Sequence, residues 1–351
     1  MGETPSRQPL SFAEKASMSW LVLFSIAAFI SQILLWQGKQ AVAIPEQAYL
    51  PPFTSVEHLL GTDQLGRDVL YYLFLSCRTA WLLAVPPLIV ATAIGVLFGS
   101  GAAILGNNGV KITVRKLLTL ALLLVAYLVL HSIIRYWPPL SDYPFTRWLY
   151  YGSGILLLCY VLNRKPGSAF SKKRTLLTLP VDEGLQKIID LWSTLPKLLL
   201  LLILTAFTPF SMLTLMGWIT ATYWVLPARI ARASVLQLKK GSYYETAQAL
   251  GIPFNRVFTH FILPSLKGPI LTNFCFAASG LLGVGSTLAY LGIGIPADVP
   301  SWGKMLANAR FSVEAWWLLV FPAALLLGSI FSLQVLGHSL SAQNRDKSVT
   351  K

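Results

Sequence analysis

Seven stretches of this 351-residue chain contain no Lys, Arg, Asp or Glu: 16–38, 79–110, 117–134, 148–163, 198–228, 268–297 and 315–344. An α-helix rises 1.5 Å per residue, so about 20 residues cross the roughly 30 Å of bilayer hydrocarbon. Apolar runs this long and this frequent argue against a soluble enzyme, which cannot hide them. They also exclude a disordered chain, which lacks apolar surface to bury. Composition agrees: 12% of residues are charged, against about a quarter in soluble domains, and 55% are hydrophobic. The reading is an all-α polytopic membrane protein.

The run 198–228 holds Thr208-Pro209, and proline breaks helices. It therefore divides into the end of one helix and most of another. The first of the two is expected to start near Lys187 and to carry Asp190 and Lys197 on one face, two turns apart. Intramembrane charges are costly and face the bundle interior, or a lysine snorkels to lipid headgroups. Their position near a helix end favours headgroup contact. About eight spans result, of which 117–134 and 148–163 are short. With the N-terminus inside, alternation leaves twenty basic residues on the inner side and seven on the outer, so both termini are expected to be cytoplasmic. The net charge of +14 is thus read as loops facing anionic lipid rather than nucleic acid. Ala41-Val42-Ala43 resembles a signal-peptide cleavage site, but the uncharged run before it is too long for a signal core. A retained anchor is expected.

The basic loop before 268–297 carries two short helices. Ser242 with Glu245 three residues on is a capping box, so a helix starts there. Thr246, Ala247 and Ala249 give it a small-residue face. Gly251 suits the left-handed position after a helix, and Pro253 prevents continuation. A second helix over 255–262 is expected to stop at Pro264. The element is either a docking unit or an ordinary interfacial amphipathic helix.

Three motifs carry a resemblance. GSYYETAQALGIPFNRVFTHFILP (241–264) resembles the EAA loop of ABC importer permeases. HLLGTDQLGRDVL (58–70) and LAYLGIGIPADVPSWGKML (288–306) resemble segments of the peptide/nickel permeases of the dipeptide and oligopeptide C-subunit type. The resemblance covers roughly 10–105 and 180–345. It implies a type I ABC importer transmembrane domain, six family spans plus an inserted helical hairpin, in a bacterial inner membrane. It assigns ATPase coupling to Ser242, Glu245, Thr246, Ala247, Ala249, Gly251 and Pro264. Extracytoplasmic family motifs fall on Gly61, Thr62, Asp63, Gly66, Arg67, Asp68, Pro300, Ser301, Trp302 and Gly303. Implied partners are a homologous B-type permease, two ABC ATPase subunits, an extracytoplasmic binding protein and membrane lipid. ATP and Mg would sit on the ATPase subunits, with no cofactor or metal here. The chain departs from the family at Thr246, usually Ala, at Phe261, usually His, and at Gly337-His338. The largest departure is 107–180, where the family has a short turn. The expected organisation is 1–78, an anchor and external loop; 79–106, the first core span; 107–180, the insertion; 181–340, the permease core with its 241–264 loop; and 341–351, a tail.

The remaining candidates are weaker. GTDQLGRD has the glycine spacing of a phosphate loop but Arg67 and Asp68 where Lys and Ser/Thr are needed. Asp63, Arg67 and Asp68 can instead satisfy one another or cap the helix leading into the second span, or they meet a binding protein. Ser301-Trp302-Gly303, with an interfacial Trp, lines the external mouth or anchors the re-entry. The four histidines and three cysteines show no metal or disulfide spacing. A membrane scaffold or embedded enzyme is the rival class, although paired polar residues within spans are almost lacking.

Overall fold

The computed structural model describes residues 11–36, 43–107, 110–113, 176–206, 211–252, 254–296, 298–312 and 314–349. Among these, four helices are long and apolar enough to cross a membrane: α1 (Phe12–Trp36), α2 (Val69–Leu105), α9 (Leu263–Tyr290) and α11 (Trp317–Val349). A bent pair, α3 (Val181–Ser193) and α4 (Lys197–Ala206), makes a fifth candidate. Shorter helices are α5 (Met212–Tyr223), α6 (Val225–Lys239), α7 (Ser242–Ala249), α8 (Phe254–Val257) and α10 (Trp302–Asn308). The expected spans at 117–134 and 148–163 lie outside the described residues.

Contacts divide the chain into two units: Met1–Ala103 with Leu185–Lys351, and Ile104–Gly184. Among the described residues, the second unit departs from the all-α expectation at one ribbon. Strand β1 (Val110–Thr113) pairs antiparallel with β2 (Leu176–Leu179), Val110 opposite Leu179 and Thr113 opposite Leu176. The β-branched Val110, Ile112 and Thr113 suit an extended backbone. Beside the ribbon, Asn107 and Glu183 bond twice: Asn107 Nδ2 donates to Glu183 Oε1 at 2.9 Å, and the Glu183 amide donates to Asn107 Oδ1 at 3.2 Å. The second bond satisfies a free N–H of the first turn of α3.

In the first unit, α1 opens with a capping box, Ser11-Phe12-Ala13-Glu14. The Ser11 amide donates to Glu14 Oε2 at 2.7 Å, and the Glu14 amide to Ser11 Oγ at 3.3 Å. Single polar bonds tie α1 to its neighbours. Ser31 Oγ donates to Phe74 O on α2 at 2.7 Å, and Trp20 Nε1 to Ser329 Oγ on α11 at 3.2 Å. Leu83 and Leu88 of α2 join Leu215, Ile219, Leu281 and Leu288 in one buried cluster. Val69, Leu73, Trp302 and Trp317 anchor a second.

Spans in lipid gain little from burying apolar surface, because lipid is equally apolar, so close backbone contact matters more. Helix α2 supplies it with a GxxxG pair, Gly95 and Gly99, against α6. A Cβ at Gly95 would lie 2.4 Å from Trp224 O, and one at Gly99 2.1 Å from Ala228 O.

Two expectations are corrected. Asp190 and Lys197 do not share a helix face, because the chain bends by 81° between α3 and α4. Pro196 immediately precedes Lys197 and cannot continue the α3 hydrogen-bond ladder. The second span also begins at Val69 with no separate lead-in helix. Its early turns contain Arg78, which donates to Gln32 Oε1 on α1.

Gly99→Val should cost about 3 kcal/mol by overpacking the α2–α6 contact, whereas Gly101→Ala, whose Cβ meets nothing within 4 Å, should be tolerated. Thermal melts of the detergent-purified proteins check both.

Candidate functional site

The 241–264 segment forms a stopped helix followed by a continuous rod. The Gly241 carbonyl accepts from the Tyr244 amide at 2.9 Å, and α7 follows. At its other end the Leu250 amide donates to Thr246 O at 3.0 Å, and the Ile252 amide to Ala247 O at 3.0 Å. Gly251 between them has φ +66°. This is a Schellman arrangement, with the C″ amide closing on the C3 carbonyl across a left-handed C′ residue. A Cβ at Gly251 would touch nothing within 4 Å, so backbone conformation alone selects glycine there.

The expected grouping of Thr246, Ala247 and Ala249 on one face is corrected. Ala247 is buried, while Thr246, Ala249 and Leu250 are exposed, Leu250 by 72%. Positions i, i+3 and i+4 share a helix face and i+1 lies about 100° away, so the outward stripe is Thr246–Ala249–Leu250. The side chains of Ser242 and Glu245 lie outside the described residues.

Pro264 does not stop the second helix. After α8 the chain makes a π-turn, Phe258–Ile262, closed by the Leu263 amide on Phe258 O, and runs straight into α9. Pro264 takes an early position of α9, where a missing N–H is tolerated. Wider π-turns occur as single insertions at working parts of proteins.

The 58–70 motif folds into a self-satisfied knot. Gly61 (φ +80°) and Gly66 (φ +71°) turn the chain, and a Cβ at either would collide with backbone: Leu50 O at 2.5 Å or Ile44 O at 1.8 Å. Buried Thr62 donates to Gln47 O at 2.5 Å and accepts from the Leu50 amide at 2.8 Å. Buried Asp63 accepts from the Leu65 and Arg67 amides at 2.8 and 3.0 Å and pairs with the Arg67 guanidinium at 2.6 Å. Arg67 also lies over the Tyr72 ring at 4.5 Å. Asp68 Oδ1 accepts from the Tyr71 amide at 2.7 Å, an N-cap of α2, and Oδ2 meets His58 Nδ1 at 3.0 Å. Exposed in the loop that leads into this motif are Phe53 and Val56, at 77% and 91%, and at its start Leu59, at 47%. Apolar periodicity gives no warning of them, because they sit in an irregular loop.

Trp302, read from the sequence as an interfacial residue, packs inside the protein. It is buried, donates through Nε1 to Leu73 O at 3.2 Å, and its ring lies 5.7 Å from that of Phe24. Gly303 presses on α9, where a Cβ would lie 2.2 Å from Ser286 O. Half-buried Pro300 precedes Ser301, whose extended backbone (φ −155°) and hydroxyl cap α10 by accepting from the Lys304 amide. Lys304 Nζ donates to Pro296 O and to Val299 O, the latter at 2.9 Å. Burial pushes this ammonium down to about 8, opposed by the charge of Asp298.

Asp190 pairs instead with Arg229 at 3.0 Å, on an exposed surface, and Arg229 also reaches Ser193 Oγ at 3.2 Å. Lys197 Nζ lies 4.7 Å over the Tyr223 ring.

Several long apolar helices mark an integral, multi-pass membrane protein. Residues 176–343 match the family described as binding-protein-dependent transport system inner membrane component. Over this segment the chain is similar to that family. It is similar to the oligopeptide transport system permease protein OppC of Bacillus subtilis, 32% identical over 45% of this chain and 52% of the relative. A putative peptide transport system permease of Brucella suis is 30% identical over 55% and 64%. The dipeptide transport system permease protein DppC of Bacillus subtilis is 24% identical over 93% and 79%. The chain thus spans between about half and two-thirds of the first two of these relatives.

Two measurements test this geometry. Asp63→Asn should lower stability by about 3 kcal/mol, because it strands a largely buried Arg67; thermal unfolding of the purified protein reads it. Burial holds the Lys304 ammonium at about 8, well below an ordinary lysine. It should therefore acylate well before the other lysines as pH rises from 7 to 9, as mass-spectrometric mapping would show.

Proposed function

We propose that this chain is one permease subunit of an ATP-driven importer for peptides or similar small solutes. Its partner is a homologous B-type permease, and the path for solute runs between the two. It lies in a bacterial inner membrane with both termini cytoplasmic. Two separate ATPase subunits carry ATP and Mg, and this chain performs no catalysis. A binding protein delivers solute on the outer side, where the exposed Phe53, Val56 and Leu59 offer an apolar contact.

The observation that carries the reading is the joint. Reversing a two-state equilibrium from 1:99 to 99:1 takes about 5.5 kcal/mol of differential binding. That energy reaches the spans only through a link that does not bend. Helix α7 is closed at its C-terminus by Gly251 and buries Ala247. It therefore moves as a body, with Thr246, Ala249 and Leu250 facing a groove on the ATPase. The π-turn then joins α8 to α9 with no intervening loop, so a displacement at the joint enters a span directly. A scaffold without transport needs neither feature.

Gly251→Val forces a β-branched residue into the left-handed region, a strain on the order of 2 kcal/mol. In the assembled complex it should lower substrate uptake at least tenfold while leaving assembly intact. Uptake at the wild-type rate in reconstituted vesicles would remove the joint from the mechanism.

A further inference from the structure

Thr79, on α2, is 1% exposed, and its Oγ1 has no hydrogen-bond partner among the protein groups. Other hydroxyls on these helices return their protons to the preceding turn. Ser76 donates to Tyr72 O at 2.8 Å, Thr205 to Leu201 O at 2.8 Å and Ser329 to Leu325 O at 2.8 Å. Thr79 does not, and it lines a small cavity of about 20 Å³ between α2, α9 and α10. Ser76, Gly285, Ser286, Ser301 and Gly303 also line that cavity. A single water needs about 10–15 Å³ and two to four polar partners. A buried hydroxyl left unpaired costs roughly 1–3 kcal/mol. Size and chemistry therefore coincide at one place.

We propose that this cavity is a binding site for one structural water. The water accepts the Thr79 hydroxyl proton and donates to a lone pair of Ser76 Oγ, whose own proton is already committed to Tyr72 O. Ser301 Oγ, which accepts from the Lys304 amide at 3.3 Å, faces the same cavity from the start of α10. A third bond, from the water to Ser301 Oγ, would link α2 to the N-cap of α10, beside the close contact of Gly303 with α9. The site is a hydrated point in an otherwise apolar seam.

The test uses the full chain in its assembled complex. Thr79→Val preserves volume and removes the hydroxyl. With a bound water it should lower the melting temperature by a few degrees, and Thr79→Ser should restore it. Were the cavity dry, the same Thr79→Val would raise the melting temperature, which would overturn the proposal. A Cβ at Gly285 would sit 3.7 Å from Leu83 Cδ1, so Gly285→Ala fits and takes the water's space. In that background Thr79→Val should become stabilising. Additive effects of the two substitutions would equally overturn the site. A high-resolution density map should show a single peak within hydrogen-bond distance of Thr79 Oγ1, and an empty cavity there would refute it.

Discussion

Hydrocarbon offers no water to an unpaired amide, and this constraint orders the rest of the molecule. The chain answers with helices that close their own ladders, leaving little but distance to decide how they assemble. Glycine sets that distance at Gly95 and Gly99 against α6 and at Gly303 against α9. Polar groups between the long helices act singly, as in Ser31 to Phe74 O and Trp20 to Ser329 Oγ. Each is a local pin rather than a network. The charged groups gather instead in the 43–68 loop, where Asp63, Arg67, His58 and Asp68 satisfy one another and cap α2.

Charge-free runs located α1, α9 and α11 with end errors of up to about seven residues, because lipid excludes charge wherever it touches a helix. The same rule misplaced the start of α2. Arg78 interrupts the run, yet the helix continues past it because Gln32 on α1 receives the guanidinium. A partner distant in sequence cannot be read from the local pattern. The bend before Lys197 was missed for a related reason. Seven-residue spacing implies a shared face only if the helix is unbroken, and Pro196 breaks it. At Pro264 the error ran the other way: a proline that ends an α-helix is accommodated once a π-turn precedes it. Gly251 was legible because its requirement is purely local. Which of the three small residues of α7 points outward depended on how the helix lies against α6, and composition carries no such information.

The joint illustrates how rigidity is assembled from weak parts. A helix of eight residues has little stability alone. Gly251 closes its last carbonyls, Ala247 seats it, and the π-turn removes the flexible linker that a loop would introduce. The exposed Leu250 is then costly to leave in water and ready to be covered, whereas the ion pair of Asp190 with Arg229, being exposed, contributes at most about 1 kcal/mol.

The ribbon of β1 and β2 bears on how so large an extra segment was accommodated. Because Val110 lies across from Leu179 and Asn107 grips Glu183, the chain leaves and returns through a single doorway. A segment spliced in at the ribbon therefore starts and ends at neighbouring residues, whatever its length.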